Sequence, residues 1–395
     1  MQLVKKILKF PKFILFLLAI FIISLLFSNF RTSAVEIADI KFIGSTTLPK
    51  GFLFQKTEVG GLSGITYDPK NDLYYAISDD RSNKAAARFY TLKINLSKGS
   101  LQDGDVTIVG VTPLINEAGK NFSPGSIDTE GIALTSKSTI FISSEGDANQ
   151  LINPFIKEFS LSSGSELRTL PIPNKFLPEK SGKKGIRNNL AFESLTITPN
   201  ENSLFTATEN ALIQDGSEAK PNISSPCRIL QYNLLTNQPT KEFLYQTEAI
   251  APFLNFSRKF ASGIPDLVAL DNQGHFLSLE RSFTGLGFYI ALFQVSLERA
   301  TDIHNINSLL ASSSPNIKPV QKKLLFDLRK LDVFLDNVEG LTLGPKLPNG
   351  QRSLILVSDN NFNSLQRTQF LAFELKIESP LIRLLRRLRN LNFQR

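Results

Sequence analysis

Acidic residues recur at matched places in short, similar phrases. "DTEGIAL" covers residues 128–134, and "NVEGLTL" covers residues 337–343. Five passages share one plan, in which an acid or serine precedes a small or apolar residue, then a strand, a polar turn, and a second apolar strand ending in an acid. The aligned openings are Ser63, Glu130, Glu193, Asp266 and Glu339, with spacings of 67, 63, 73 and 73 residues. The second strands close on Asp79 and Asp80, Glu145, Glu209, Glu280 and Asp359. Each pair of strands reads as an antiparallel hairpin, so its opening and closing acids fall at one edge. Repeated around an axis, Asp79, Asp80, Glu130, Glu145, Glu193, Glu209, Glu280, Glu339 and Asp359 are expected to gather at one end of a channel. Crowded carboxylates cannot all ionise without a cation, protons or basic partners. An oxygen-rich set in a chain with two histidines and one cysteine suits Ca2+ or Mg2+ rather than Zn2+.

Basic and neutral groups follow the same phrases. Arg81, Arg88, Arg187, Arg281 and Arg367 can pair with the acids or hold an anionic substrate group through bidentate contacts. Asn210, Asn337, Asn360 and Asn361 offer neutral ligands. A plainer use competes with this one, because turn acids often only bind nearby backbone N–H groups. The glycine after the acid fits close packing of strands near an axis. Other chemistries find little support. Neither a G-x-S-x-G elbow, a P-loop nor an H-E-x-x-H motif is present. His275 lies in the turn "DNQGHF" and His304 in a polar insertion, so both read as solvated rather than catalytic. Cys227, before a strand, reads as inert.

The elements that must position these acids follow from the repeat. After each hairpin come two more strand signals, such as "RFYTLKINL" and "DVTIVGVTPL" after the first. Four antiparallel strands per repeat make a propeller blade. The fold predicted is therefore all-β, a propeller of five blades. A sixth blade fits only if the stretch near 295–330 hides further strands. The last repeat lacks its fourth strand, and "VEIADIKFIGSTTL", ahead of the first repeat, can supply it and close the ring.

Length and charge agree with one large body and two special ends. The chain has 395 residues and a formal charge of +8. Ten of its basic residues lie within residues 1–31 and 381–395, which carry no acid. The remaining 34 basic and 36 acidic residues leave the body near −2, which argues against a nucleic-acid face. Residues 13–27 form an uncharged apolar run behind four lysines, as in a signal peptide or an N-terminal membrane anchor. Residues 379–395 read as a basic amphipathic helix suited to an anionic membrane surface. The organisation expected is residues 1–34 as leader or anchor, 35–378 as propeller and 379–395 as that helix. It implies an exported chain, periplasmic or extracellular, monomeric, in contact with a membrane through its ends.

The ordered phrases "GLSGITYD", "AISDDRS", "DTEGIAL", "FESLTITPN", "TEN" and "NVEGLTL" resemble the phytase-like family, also described as having the esterase-like activity of phytase. The resemblance spans roughly residues 40–376. It implies a secreted propeller and hydrolysis of a phosphoric ester, with Ca2+ as the accompanying ion and a phosphorylated small molecule as substrate. On that reading a cation held by the carboxylates assists the reaction. Arg81 steadies the developing charge, and Glu130 or Glu339 serves as base. Arg81, Arg88, Arg281 and Arg367 bind substrate. Ser63 stands where the other openings have an acid, and Ser194 stands where glycine is expected, so the ring is not uniform. A non-catalytic propeller that binds a ligand or protein at a membrane is the competing reading. A metal-stabilised structural ring is a third.

Overall fold

The stretch "LYYAIS" is apolar on both faces, and its neighbours explain why. Tyr74 and Ala76 pack into one cluster with Ile355, Val357 and Phe370. Tyr75 and Ile77, one step along, pack into another with Ile132, Ile140 and Phe159. Side chains alternate across a strand, so a strand buried on both faces reads as a continuous apolar run. The same sharing joins Phe141 and Ile156 to Leu204 and Leu230, and Phe205 and Ile229 to Phe276 and Phe293. The hydrophobic cores therefore lie between sheets stacked around a ring.

A computed structural model describes residues 35–249, 261–283, 287–311 and 316–378. The expected leader or anchor and the expected C-terminal helix lie outside the described residues. Among those residues, no helix is long and apolar enough to cross a membrane. Contacts separate Ile37–Ile377 from a second unit made of the two chain ends, and the propeller is the first of these.

Five four-stranded antiparallel sheets form the blades. Blade one is Leu62–Asp68, Leu73–Ser78, Arg88–Ile94 and Val106–Pro113. Blade two is Thr129–Leu134, Thr139–Ser144, Phe155–Ser160 and Glu166–Leu170. Blade three is Phe192–Ile197, Ser203–Thr208, Pro226–Asn233 and Gln238–Gln246. Blade four is Ala261–Ala269, His275–Phe283, Phe288–Ser296 and Gln321–Asp327. Blade five has Val338–Lys346, Arg352–Ser358 and Gln369–Glu378, and its outer strand is Glu36–Thr47 from before blade one. The ring is closed by that exchange, as the sequence predicts. The stretch near 295–330 supplies the outer strand of blade four, and no sixth sheet of this kind appears among the described residues. A small hairpin, Leu53–Phe54 with Thr57–Glu58, precedes blade one and was not anticipated.

The first strand of each blade touches the first strand of the next, around to blade five and back to blade one. Their approach is close. A methyl group on Gly64 would lie 2.4 Å from the Glu130 carbonyl oxygen. One on Gly131 would lie 2.6 Å from Leu195 Cβ and 2.8 Å from the Glu193 carbonyl oxygen. The glycine of the repeated phrase is thus required by space. Blade three tolerates Ser194 because its Oγ turns back to accept a hydrogen bond from Ala207 N at 2.9 Å.

Two expectations are corrected. His275 is buried, and its Nδ1 sits 2.7 Å from Asp271 Oδ2 in a hairpin turn. His304 is only partly exposed, with Nδ1 3.3 Å from Glu242 Oε1. That contact belongs to a charged network on blade three. Arg228 is fully buried and pairs with Asp215 at 2.6 Å and Glu242 at 2.7 Å. Lys175 reaches Glu242 at 3.0 Å.

Adding one methyl group at the axis tests the packing argument. Gly131→Ala should lower stability by about 1–3 kcal/mol through overpacking, read as a lower midpoint in urea unfolding. An unchanged midpoint would show that the inner strands can move apart at no cost.

Candidate functional site

A local irregularity aims the phrase acids. In blade two the pairing register shifts between Thr129 and Ile132, around Glu130. It shifts between Phe192 and Ser194 around Glu193, and between Val338 and Gly340 around Glu339. Blade one does the same around Ser63. A β-bulge leaves its extra residue outside the ladder and redirects the side chain. Each phrase acid occupies such a bulge at the start of an inner strand. The closing acids Asp79, Glu145, Glu209 and Asp359 follow directly after Ser78, Ser144, Thr208 and Ser358, which end the second strands. Opening and closing acids therefore meet at one mouth of the ring.

Eight carboxylates share that mouth: Asp79, Asp128, Glu130, Glu145, Glu193, Glu209, Glu339 and Asp359. All but Asp79, which is partly exposed, are buried, and the group interacts electrostatically. Burial pushes Asp79 up to about 7, with help from Asp128. Burial also pushes Asp128 up to about 6, against the pull of Arg81. Glu339 rises to about 7 by burial, although Arg281 opposes the rise. Burial and neighbouring carboxylates drive Glu130, Glu145, Glu193 and Asp359 well above the usual carboxylate range. The charged forms lack water and face one another.

Two arginines enter the group. Arg81 donates from Nε to Asp128 Oδ1 at 2.7 Å and also bonds Asn189. Its side chain remains 35% exposed, so it forms part of the lip. Its backbone, with φ of +52°, lies in the left-handed region that non-glycine residues seldom enter. Arg281 is more enclosed. Its Nη2 reaches Glu209 Oε1 at 2.8 Å, and its Nη1 reaches Glu339 Oε1 at 2.6 Å and also Asn337 Oδ1. Asn337 in turn donates to Glu339 Oε1 at 2.9 Å.

A set of oxygen atoms close enough together to hold an ion lies on blade two. Asp128, Glu130 and Glu145 present one oxygen each, all within 4.8 Å of one another. Glu145 is 1% exposed, and its Oε2 has no hydrogen-bond partner, while Oε1 accepts from Ala191 N. A buried acceptor left bare is costly, and a hard cation satisfies it with the ligand type it prefers.

Several residues expected at the mouth have other partners. Asp80 pairs with buried Arg88 at 2.5 Å and accepts from Lys84 N and Ala85 N at 2.8 and 2.9 Å. Arg88 also donates to Tyr90 Oη at 2.7 Å and to the Glu58 carbonyl at 3.0 Å, which pins the small hairpin. Glu280 turns toward Tyr245 Oη at 2.7 Å and Lys322 Nζ at 2.6 Å. Arg367 stacks over Phe334 at 5.1 Å. Arg187 ties down the loop at Gly216 and Glu218. Asn210 bridges Ser262 and Ala219, and Asn360 accepts from Gly61 N and Phe362 N. Asn361 is exposed, with φ of +45°. Asp266 lies beyond the irregularity of blade four, which falls between Gly263 and Asp266. Its carboxylate accepts from Leu341 N and Leu267 N, each at 2.8 Å, and so holds inner strands together. The expected alignment of Asp266 with Glu130 fails because the inner strand of blade four begins at Ala261.

Asp128 was missed as a site residue although it opens the quoted phrase. The available signal was its match to Asn337, two residues before the next phrase glutamate. Each contacts an arginine, Arg81 and Arg281 respectively.

Comparisons with known proteins bear on this ring. No curated protein matches the chain. Among solved structures, the Dos1 propeller aligns at 8% identity over 81% of this chain and 69% of its own, with a TM-score of 0.35. An endo-arabinase from Bacteroides thetaiotaomicron aligns at 12% identity over 85% of this chain and 98% of its own, with a TM-score of 0.43. The sequence profile described as phytase-like, esterase-like activity of phytase, matches residues 57–362. That span runs from the small hairpin before blade one through the closing acid of blade five, and the chain belongs to this phytase-like family.

Proposed function

We propose that this chain is a cation-dependent hydrolase of phosphoric esters, working at the acidic mouth of the propeller. One observation carries the reading: Asp128, Glu130 and Glu145 converge within 4.8 Å, with Glu145 Oε2 buried and bare. The donor set is oxygen only and strongly negative, which fits Ca2+ or Mg2+. When bound, such an ion supplies Lewis acidity toward a phosphoryl oxygen and the attacking water.

The chain's own residues divide the remaining work. Asp128, Glu130 and Glu145 hold the ion. Arg81 is partly exposed at the lip and pairs with Asp128 through Nε and Nη2, so the Nη1 end of its guanidinium is placed to take a phosphate oxygen. Asn189 and Asp128 orient it. Asp79 lies beside Asp128 at the same mouth, so its carboxylate is placed to take a proton from the attacking water. Glu339 is bound to Arg281 and Asn337 and keeps a positioning role. Residues 1–34 have the composition of an export leader or anchor, and residues 379–395 that of a membrane-surface helix. They support a location outside the cytoplasm, with the body beside a membrane.

Hydrolysis of a generic phosphomonoester or phosphodiester, with and without Ca2+, tests the reading. Turnover should need the cation, and Glu130→Gln should lower kcat at least ~100-fold. Arg81→Met should raise KM more than it lowers kcat. No turnover under any divalent cation, with binding intact, would leave a ligand-binding propeller.

The charge imbalance also predicts a pH effect. A carboxyl whose pKa is raised by folding binds protons more tightly in the folded chain. Its contribution to stability is present at low pH and is lost as pH rises toward the folded value. Asp128 near 6 and Asp79 and Glu339 near 7 set that window. In chelator, Tm should fall by about 5 °C or more between pH 5.5 and pH 8, and excess Ca2+ should restore most of it at pH 8. A chelated protein that melts at the same temperature across that range would contradict the assignment.

A further inference from the structure

The mouth is lopsided in its compensation. On one side, Glu209 of blade three and Glu339 of blade five share a single guanidinium, that of Arg281, at 2.8 and 2.6 Å. Asn337 braces both Arg281 and Glu339. The side chain of Arg281 is 13% exposed. It comes from blade four, whose inner-strand irregularity holds Ile264 and Pro265 instead of an acid. Neighbouring Glu280 points to Tyr245 and Lys322, as alternation along a strand requires. Blade four thus sends a cation into the mouth where blades two, three and five send carboxylates.

On the other side the compensation is incomplete. Arg81 acts on Asp128, Glu130 and Glu145 but bonds Asp128 alone among the three. Glu145 Oε2 is buried and unpartnered. A second buried carboxyl, Glu193, lies within hydrogen-bond reach of Glu145, a contact that a shared proton or an intervening cation makes attractive.

We infer that the mouth takes one divalent cation, on the blade-two side between Asp128, Glu130 and Glu145, and that Arg281 is a built-in cation filling the matching position between Glu209 and Glu339. This rests on the cation-dependent reading above and fixes its stoichiometry and place. The site is then a one-metal site with a guanidinium in the second seat. Removing that guanidinium leaves two facing carboxylates, whose oxygens a hard ion can bridge.

Calcium titration of the full chain by isothermal calorimetry tests this without relying on turnover. The wild type should bind one equivalent. Glu145→Gln should weaken binding at least ~10-fold, whereas Glu209→Gln should leave affinity within about 3-fold, since that carboxylate is already neutralised. Arg281→Met should bind two equivalents, and Arg281→Lys one. If Arg281→Met folds only with calcium present, metal content after gel filtration gives the same count. Two equivalents in the wild type, none at all, or loss of binding in Glu209→Gln equal to that in Glu145→Gln would overturn the inference. One bound equivalent without ester hydrolysis would reject the hydrolase reading and leave this assignment standing.

Discussion

Five inner strands meet so closely around the axis that glycine, or in blade three a serine folded back on its own sheet, stands where they touch. The 2.4 Å separation between a Gly64 methyl and the Glu130 carbonyl oxygen is shorter than any real contact, so the backbone itself forms the wall. The glycine position and the acid position are then two results of one constraint. Where the wall must be bare, glycine stands. One residue earlier, the strand bulges, and the side chain that cannot enter the ladder is turned toward the mouth. A repeat that packs backbone against backbone thus delivers a polar group to one rim in blade after blade. Thr129 Oγ1 donating to the Ser78 carbonyl at 2.7 Å ties adjacent blades at this level.

Collecting acids in this way opposes folding, and the rest of the molecule must offset it. Each carboxylate pushed toward neutrality reports a charged form disfavoured relative to water, at ~1.4 kcal/mol per pK unit. The offset lies in the cores between blades. There Tyr74, Phe89, Phe141, Phe205 and Phe276 are buried between neighbouring sheets, with Phe205 and Phe276 edge to face at 4.9 Å. A fully buried side chain of that size contributes roughly 1.5–3 kcal/mol. The chain uses phenylalanine heavily and has no tryptophan. That choice suits thin wedges between stacked sheets and brings no indole N–H that would need a partner.

Much of this was legible in the sequence because it is periodic. Apolar runs, turn residues and the spacing of the acid phrases identify four-stranded blades, and the missing last strand identifies Glu36–Thr47 as the closing one. The directions of individual side chains were harder to read. Glu280 and Asp80 sit in the right phrases but face Lys322 and Arg88, because one step along a strand reverses a side chain. Phase is set by bulges, and bulges leave no mark in composition beyond a glycine. Asp266 shows the same limit. Its blade begins earlier than the phrase suggests, since Ala261–Ala269 carries its irregularity between Gly263 and Asp266. Asp128 was hidden for a simpler reason: it stands two residues before the repeated glutamate, outside the aligned pair.

Unevenness between blades separates structural charge from functional charge. Arg228 with Asp215 and Glu242 is fully buried and bonded at 2.6 to 2.9 Å, and Lys175 on Glu242 supplies the second positive charge that balances the two carboxylates. Leu309 N donates to Asp215 Oδ1 at 2.9 Å, so the insertion between the third and fourth strands of blade four is fastened to blade three by the same network. Buried ion pairs of this kind specify an arrangement and add little net stability. The mouth differs in kind. Around Arg281 it resembles that network, with Glu209 Oε1 and Glu339 Oε1 both held by one guanidinium. Around Glu145 the matching stops, and an acceptor remains bare in a place without solvent. Glu242, set against Lys175 and Arg228, shows that this fold can place cations on a buried carboxylate, and Glu145 Oε2 has no such partner among the described residues. Leaving it open at the rim, beside the partly exposed Arg81, is what distinguishes a place for a ligand from a turn that merely holds its own backbone.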